Sequence, residues 1–399
     1  MSTSLFTPVV ESLGDSAAET GRAMLGSTGH VKGGSRSLAM AHPKIAGNPY
    51  KYKAATVEAM QFVEAILKGR TPIYKFTEAM STDLFPLLHA DTIDRQMYAR
   101  YLAAPTTWSK YIRRAKVNDF RKVKRFTNTG IAGRLTIVPE LAEHPERTTA
   151  EGVYEYAVDK YEAGFGLSFE AMVNDDLDLY ESLPGDLAQS ALITEEYFAA
   201  RLLADASGPN ASYFNLANDN VAASNAALTR ASLQAALTRL MKRTDERGNP
   251  IVITAVNLVV GPGLWATAND IINATNYILK DGSGNETHIS GNGIAANLSI
   301  SVNFQLPAVQ TTANADTSWW LLASPDGPRP LAEMGFLRGY EQPALYEKVP
   351  DMRRFGGGAE VAWSFDHGDA HRKVQHILGG SFVDSRMGIA SKGDGSSVS

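Results

Sequence analysis

Three groupings of side chains in the 399-residue sequence could do chemistry. His367 and His371 are four apart, with Asp366 and Asp369 beside them, and on one helical face they would share a divalent metal. Gly368 and strand-like patterns on either side read instead as a turn between strands. Asp281 to Glu286 has the Asp, Gly and Asn of a calcium loop but lacks the later bidentate Glu and flanking helices, so it reads as a surface turn. Asp175, Asp176 and Asp178 would do acid–base work beside a His or Lys, and neither is there. They read as part of an acidic block ahead of a helix. No G-x-x-x-x-G-K-S/T phosphate loop and no G-x-S-x-G elbow occurs, and Gly26–Gly34 offers only glycine density. With no cysteine, disulfides, thiolate metal sites and Cys nucleophiles are excluded, as suits a reducing compartment. The expectation is no enzyme, no cofactor and no metal.

Charge is more informative in its distribution than in its sum of −5. Residues 51–135 hold 16 Lys and Arg against 7 Asp and Glu, whereas 136–210 hold 3 against 16. Adjacent blocks of opposite sign suggest surfaces that meet, within one chain or between copies; the plainer alternative is two solvated faces. The basic run Lys110–Arg125 includes Arg113, Arg114, Lys116, Arg121, Lys122 and Lys124. With Trp108, Tyr111 and Phe120 interleaved it could bind nucleic acid. It could also pair with a neighbour's acidic stretch, where Glu140, Glu143, Glu146, Glu151 and Glu155 lie around Arg147. The second reading is preferred, because the same chain encodes the partner.

The elements that would position these groups follow from periodicity. Apolar residues recur at helical spacing over Ala54–Lys68, ended by Gly69 and Pro72, and a second helical stretch lies near Asp91–Leu102. Asp119–Phe126 and Leu135–Val138 are strand-like. Val153–Tyr161 alternates, with Tyr154, Tyr156 and Val158 on one face and Glu155 and Asp159 on the other. Together they suggest a long hairpin whose polar tip spans Pro139–Gly152. The longest helix is expected from about Pro184 to Ala204, with Pro184 near its first turn. Ser232 could cap the next helix. Val256–Val260, Leu298–Leu306, Trp319–Ala323 and Val361–Phe365 read as strands, and Gly261-Pro262-Gly263 leads into a helix through Trp265 and Ile271. Residues 1–50 are rich in Gly, Ser, Ala and Thr, and both this arm and the polar end Gly393–Ser399 are expected to be held by neighbouring subunits. At 399 residues more than one compact unit is expected. No signal-type run and no stretch approaching ~18 apolar residues occurs, so a soluble protein is expected.

Several runs in order carry a family resemblance: Leu88–Gln96, Val117–Val123, Leu167–Leu177, Asn257–Pro262, Trp319–Pro325, Gly335–Pro343, Phe365–His367 and His376–Asp384. The sequence resembles the Hong Kong 97-type capsid proteins of tailed phages, particularly Mu-like major head subunits, over residues 75–392. The resemblance implies an α+β fold in which 1–117 form an N-terminal arm with helices and 118–170 an extended β-hairpin loop. Residues 171–227 would form a peripheral domain with a spine helix at 183–205. An axial domain would follow at 228–345, and 346–399 would return to the peripheral sheet.

The resemblance further implies a virion protein, assembled in the host cytoplasm into pentamers and hexamers of an icosahedral head. Its partners would be its own copies, double-stranded DNA held without sequence specificity, and portal, scaffolding or decoration proteins, with no membrane. An encapsulin-like shell around a cargo enzyme is the alternative. The family's covalent crosslink uses a Lys in the extended loop. Residues 126–159 contain no Lys, only Arg134 and Arg147 as cations, so noncovalent contacts are expected. The N-terminal arm, lacking helical period, is expected to stay uncleaved.

Overall fold

The computed structural model describes residues 49–67, 97, 99–129, 137–140, 150–168, 178–245, 248–253, 255–280, 286–290, 298–327, 329–348, 352–353, 360–361 and 369–398. In chain order these form α1 (Pro49–Leu67), β1 (Arg113–Val117), β2 (Val123–Thr129), β3 (Ala150–Tyr156), β4 (Asp159–Ser168), α2 (Asp178–Leu203), β5 (Ala204–Asp205) and β6 (Gly208–Pro209). There follow α3 (Arg230–Met241), β7 (Val256–Val260), α4 (Trp265–Asn273), β8 (Asn276–Lys280), β9 (Glu286–Ser290), β10 (Leu298–Val302), α5 (Leu306–Val309), β11 (Trp319–Ala323) and β12 (Ala332–Leu337). The last are β13 (Ala344–Glu347), β14 (Met352–Arg353), β15 (Glu360–Val361), β16 (Asp369–Phe382) and β17 (Gly388–Ser391). The fold is mixed α and β, and the chain divides into two compact units.

The first unit takes in residues up to 105, 160–192 and 339–377. Its core gathers Met97 and Tyr101, then Leu187, Ala188 and Ala191 from one face of α2, with Val374 of β16. The i, i+4 spacing of Leu187 and Ala191 makes that face. β13 pairs antiparallel with β16, from Ala344 opposite Gln375 to Glu347 opposite Arg372, and β4 also pairs with β16.

The second unit takes in 106–159, 193–338 and 378–399. It is built on a four-stranded sheet in the order β10-β7-β11-β17, with β7 and β10 parallel and the other pairs antiparallel. Every residue of β7 and β11 is buried; β11 is apolar throughout, and β7 is apolar except for Asn257, whose amide donates to the Lys110 carbonyl. Leu233 and Leu240 of α3 and Ala268 of α4 pack with Leu258, Trp319, Leu321 and Ile389. Each large side chain buried there contributes about 1.5–3 kcal/mol by leaving water. The indole N–H of Trp319 donates to the Ala226 carbonyl at 3.0 Å, and that of Trp320 to the Leu203 carbonyl at 3.2 Å, so neither donor is stranded.

Several expectations need correction. The cap of α3 is Thr229, with Ser232 at the third helical position: Thr229 Oγ1 accepts from the Ser232 N–H at 3.2 Å, and Ser232 Oγ accepts from the Thr229 N–H at 2.9 Å. The long helix starts at Asp178, which places Pro184 beyond the first turn, where its missing N–H removes one helical hydrogen bond. The alternating run Val153–Tyr161 is divided by Ala157–Val158 into β3 and β4. Of the expected strand Leu135–Val138, Ile137 and Val138 lie in no strand, and residues 135–136 lie outside the described residues. The strand from Leu298 stops at Val302, since Asn303 turns the chain: its Oδ1 accepts from the Gln305 N–H at 2.8 Å.

The polar C-terminal stretch is held by its own chain. Asn225 donates to the Ser396 carbonyl at 3.3 Å and accepts from the Lys392 N–H at 3.3 Å. Thr317 Oγ1 donates to the Lys392 carbonyl at 2.7 Å. The N-terminal arm before residue 49, most of the Asp281–Glu286 turn, Asp175–Asp176 and Asp366–Gly368 lie outside the described residues.

Candidate inter-subunit surface

The hairpin forms by period-two alternation. β2 and β3 pair antiparallel from Val123 opposite Tyr156 to Thr129 opposite Ala150. One face carries Val123 and Arg125 against Tyr156 and Tyr154. The other carries Lys124 opposite Glu155 and Phe126 opposite Val153, and there Phe126 is 63% and Val153 53% exposed. An apolar cross-strand pair left in water is a surface awaiting cover.

The inner face is seated on the sheet by two glycines and one carboxylate. β1 lies parallel on β12, and β12 runs antiparallel to residues 378–382 of β16, with Gly335 opposite Gly379. A methyl group on Gly335 would stand 2.6 Å from the Tyr156 ring, and one on Gly379 would stand 2.1 Å from the Ala157 carbonyl oxygen. The end of β3 therefore crosses the sheet where both side chains are missing. Beside this gap Glu333 of β12 is buried, and Tyr156 donates its hydroxyl to Oε1 at 2.6 Å while Tyr154 donates to Oε2 at 3.1 Å. Arg125 Nε lies 3.1 Å from Oε1, and the same guanidinium donates to the Lys116 carbonyl at 3.0 Å. The two phenol rings stack, 6.4 Å apart. Burial, reinforced by Glu333, pushes the Tyr154 phenol up to about 12 and the Tyr156 phenol up as well.

A second buried network fixes the chain that leads into β1. Glu196 of α2 accepts from the Thr107 N–H at 2.5 Å, Thr107 Oγ1 at 2.6 Å and the Trp108 N–H at 3.2 Å. Glu195, fully buried, accepts from the Trp108 indole at 2.8 Å. Burial raises the Glu196 carboxyl above its ordinary range although these donors pull it down.

The predicted contact residues meet different fates. Arg113 donates to the Pro325 carbonyl at 3.2 Å and to that of Gly327, and Arg114 lies 4.3 Å above the Phe336 ring. Lys116 is exposed. Lys124 pairs with Glu155 at 3.1 Å across the hairpin, so part of the charge complementarity is satisfied within one chain. Arg121 and Lys122 are exposed in the turn between β1 and β2 with Phe120, and Glu140 is exposed too. Glu151 lies in β3 opposite Asn128, and Glu143, Glu146 and Arg147 lie outside the described residues. Trp108 and Tyr111 are buried, so two of the three aromatics that would stack on nucleotides are unavailable. Sequence reasoning missed Glu333, Gly335, Gly379 and the Glu195–Glu196 pair. The one signal was a lone Glu within the apolar run Ala332–Leu337.

Among the described residues no group of His, Asp and Glu is placed to hold a metal, and no helix is long and apolar enough to cross a membrane. Residues 152–369, more than half of the chain, match the family described as phage capsid protein. The chain belongs to this family. It is a structural capsid protein. No curated protein matches the capsid protein. Similar solved structures include the capsid of Ralstonia phage GP4, at 12% identity, covering 70% of this chain and 86% of that one with a TM-score of 0.42. The capsid structure of cyanophage P-SCSP1u is similar at 12% identity over 72% and 87%, with a TM-score of 0.41. A virus-like particle from Pyrococcus furiosus is similar at 10% identity over 75% and 97%, with a TM-score of 0.38. The assignment rests on the family match.

Proposed function

We propose that this capsid protein is the major head subunit of a tailed phage, of the Hong Kong 97 type, building pentamers and hexamers of an icosahedral shell around double-stranded DNA. In this reading 118–170 form the extended loop, the helix around 183–205 is the spine, 228–345 form the axial domain and 346–399 return to the peripheral sheet. The observation that carries it is the Phe126–Val153 pair, apolar and solvent-facing on a two-stranded ribbon. Such ribbons are marginal in water alone, and a neighbouring copy would cover this face. The exposed Arg121 and Lys122 at the hairpin's base would meet acidic groups of that neighbour, giving registry more than affinity. No step of this function requires a catalytic residue.

Electron microscopy of the purified protein tests the reading: closed shells are expected. The variant Phe126→Asp with Val153→Asp should keep its circular dichroism spectrum and fail to close shells. A wild-type protein that stays monomeric by light scattering at high concentration refutes it. Shells filled with protein in place of nucleic acid would mark an encapsulin-like compartment.

A further inference from the structure

The β2–β3 ribbon has one seated face and one open face. Arg125, Tyr154 and Tyr156 turn to the seat, where all three reach Glu333. The open face is built in rows across the two strands. One row is Lys124 opposite Glu155, bridged at 3.1 Å, and the next is Phe126 opposite Val153. All four side chains are exposed. Each row therefore joins a matched pair, one member from each strand: cation with anion, then apolar with apolar.

That pattern is complementary to itself. When two such ribbons stack face to face about a two-fold axis parallel to the strands, the rotation exchanges the strands and keeps the rows. Each row then meets its own row reversed. Lys124 of one copy faces Glu155 of the other, Glu155 faces Lys124, and Phe126 faces Val153 twice. Reciprocal contact of this kind, i to j and j to i, defines an isologous interface. An axis perpendicular to the strands would carry Lys124 and Glu155 to opposite ends of the stack and match neither. Charge thus selects one orientation.

We infer that the open face is covered by the same face of a second copy, stacked about a two-fold axis parallel to the strands. The inference rests on the proposed function and names which part of the neighbour supplies the cover. Stacked strand layers lie ~10 Å apart with interdigitated side chains, which would bring each Phe126 ring against a Val153 and exclude water from both. The bridge within each chain is no obstacle, because an exposed ion pair contributes little by itself. Stacking turns two such bridges into a square of alternating charge, in which every group lies beside two of opposite sign. Two Phe and two Val side chains bury roughly 800 Å² at most, below the ~1,200 Å² of a stable free complex. The contact therefore acts within a particle, where other contacts add to it, and not as a free dimer.

The test is the concentration at which the purified full-length subunit begins to close shells, read by light scattering at about 50 mM salt, where screening is weak. Lys124→Glu makes the charged row wholly acidic, and Glu155→Lys makes it wholly basic. Both positions are exposed, so both variants should keep the wild-type circular dichroism spectrum. Each alone sets like charges against like across the axis and should raise the closing concentration about tenfold. In an equimolar mixture the acidic row of one variant meets the basic row of the other, and the concentration should return to within about threefold of wild type. The bridge within each chain stays broken in both variants, so rescue reads only the contact between copies. A mixture no better than the separate variants, or single variants that behave as wild type, overturns the inference. Cryo-electron microscopy of wild-type shells should show two ribbons face to face about a two-fold axis, and an open face covered by any other surface overturns it too. Wild-type shells without rescue sink only this inference, whereas a wild type that never closes shells sinks the proposed function and this contact with it.

Discussion

Replacing Tyr156 by Phe deletes one oxygen from the seat of the hairpin and leaves the ring over Gly335 in place. The lost bond is short, 2.6 Å, and its acceptor is a carboxylate only 4% exposed. Hydrogen bonds to buried charges are worth about 1.5–3 kcal/mol, and the full range applies only if nothing replaces the donor. Here Tyr154 at 3.1 Å and Arg125 at 3.1 Å remain, so Glu333 is weakened but not orphaned. The expected loss is about 2 kcal/mol, a factor of about 30 in the opening equilibrium of β3. Because two compact units need not unfold together, the right assay is local: amide hydrogen exchange of the unassembled subunit. Protection over 152–156 should fall about 30-fold while β7 and β11 keep theirs. A change below about 0.5 kcal/mol, or one spread evenly over both strands of the core, would refute a seat built on Glu333. The same cluster sets an alkaline limit. Both phenols are raised in the folded state, so the folded chain holds protons that the unfolded chain releases above pH ~10. Their stabilisation is therefore complete below pH ~10 and is lost as pH climbs toward 12.

Gly379→Ala would place a methyl 2.1 Å from the Ala157 carbonyl oxygen, and the backbone must shift at a cost of about 1–3 kcal/mol or more; an unchanged melting temperature would contradict the crossing. Thr229→Ala removes the side-chain half of the α3 capping box, the Oγ1 that accepts from the Ser232 N–H, and should cost about 0.5–2 kcal/mol by chemical denaturation, with Thr229→Ser restoring most of it. Intact particles boiled in detergent should run as a single band, because 126–159 offer no Lys for a crosslink; covalent ladders would disprove this.

The outer features of the hairpin were legible because they depend on alternation alone: Tyr154, Tyr156 and Val158 turn inward and Glu155 and Asp159 outward, as the pattern required. β7 and β11 were legible for the opposite reason, being apolar on both faces at every position but Asn257. The seat was not. Glu333 is one carboxylate in an apolar strand, and its meaning arises only when β12 is laid beside Tyr156 and Tyr154, 177 and 179 positions earlier in the chain. Gly379 shows the same limit, since a glycine needed for closeness looks like any other until the crossing backbone is in place. The basic run misled in part for a related reason. Spacing does not reveal that Trp108 and Tyr111 point into the core, where Glu195 and Asn303 bond them. Ser232 was found one turn from its true role because capping boxes are reciprocal, and either partner looks like the cap.

β1 ends its sheet among the described strands, pairing with β12 on one side only. Such an edge is a template on which a second chain can add itself, strand to strand, without limit. The edge here is written Arg-Arg-Ala-Lys-Val, so two copies brought together along it would set guanidinium and ammonium groups against their like. In the proposed role, where copies close into a finite particle, such open-ended addition is the competing route. Three positive charges on five residues raise the cost of that competing route while leaving the intended surfaces free.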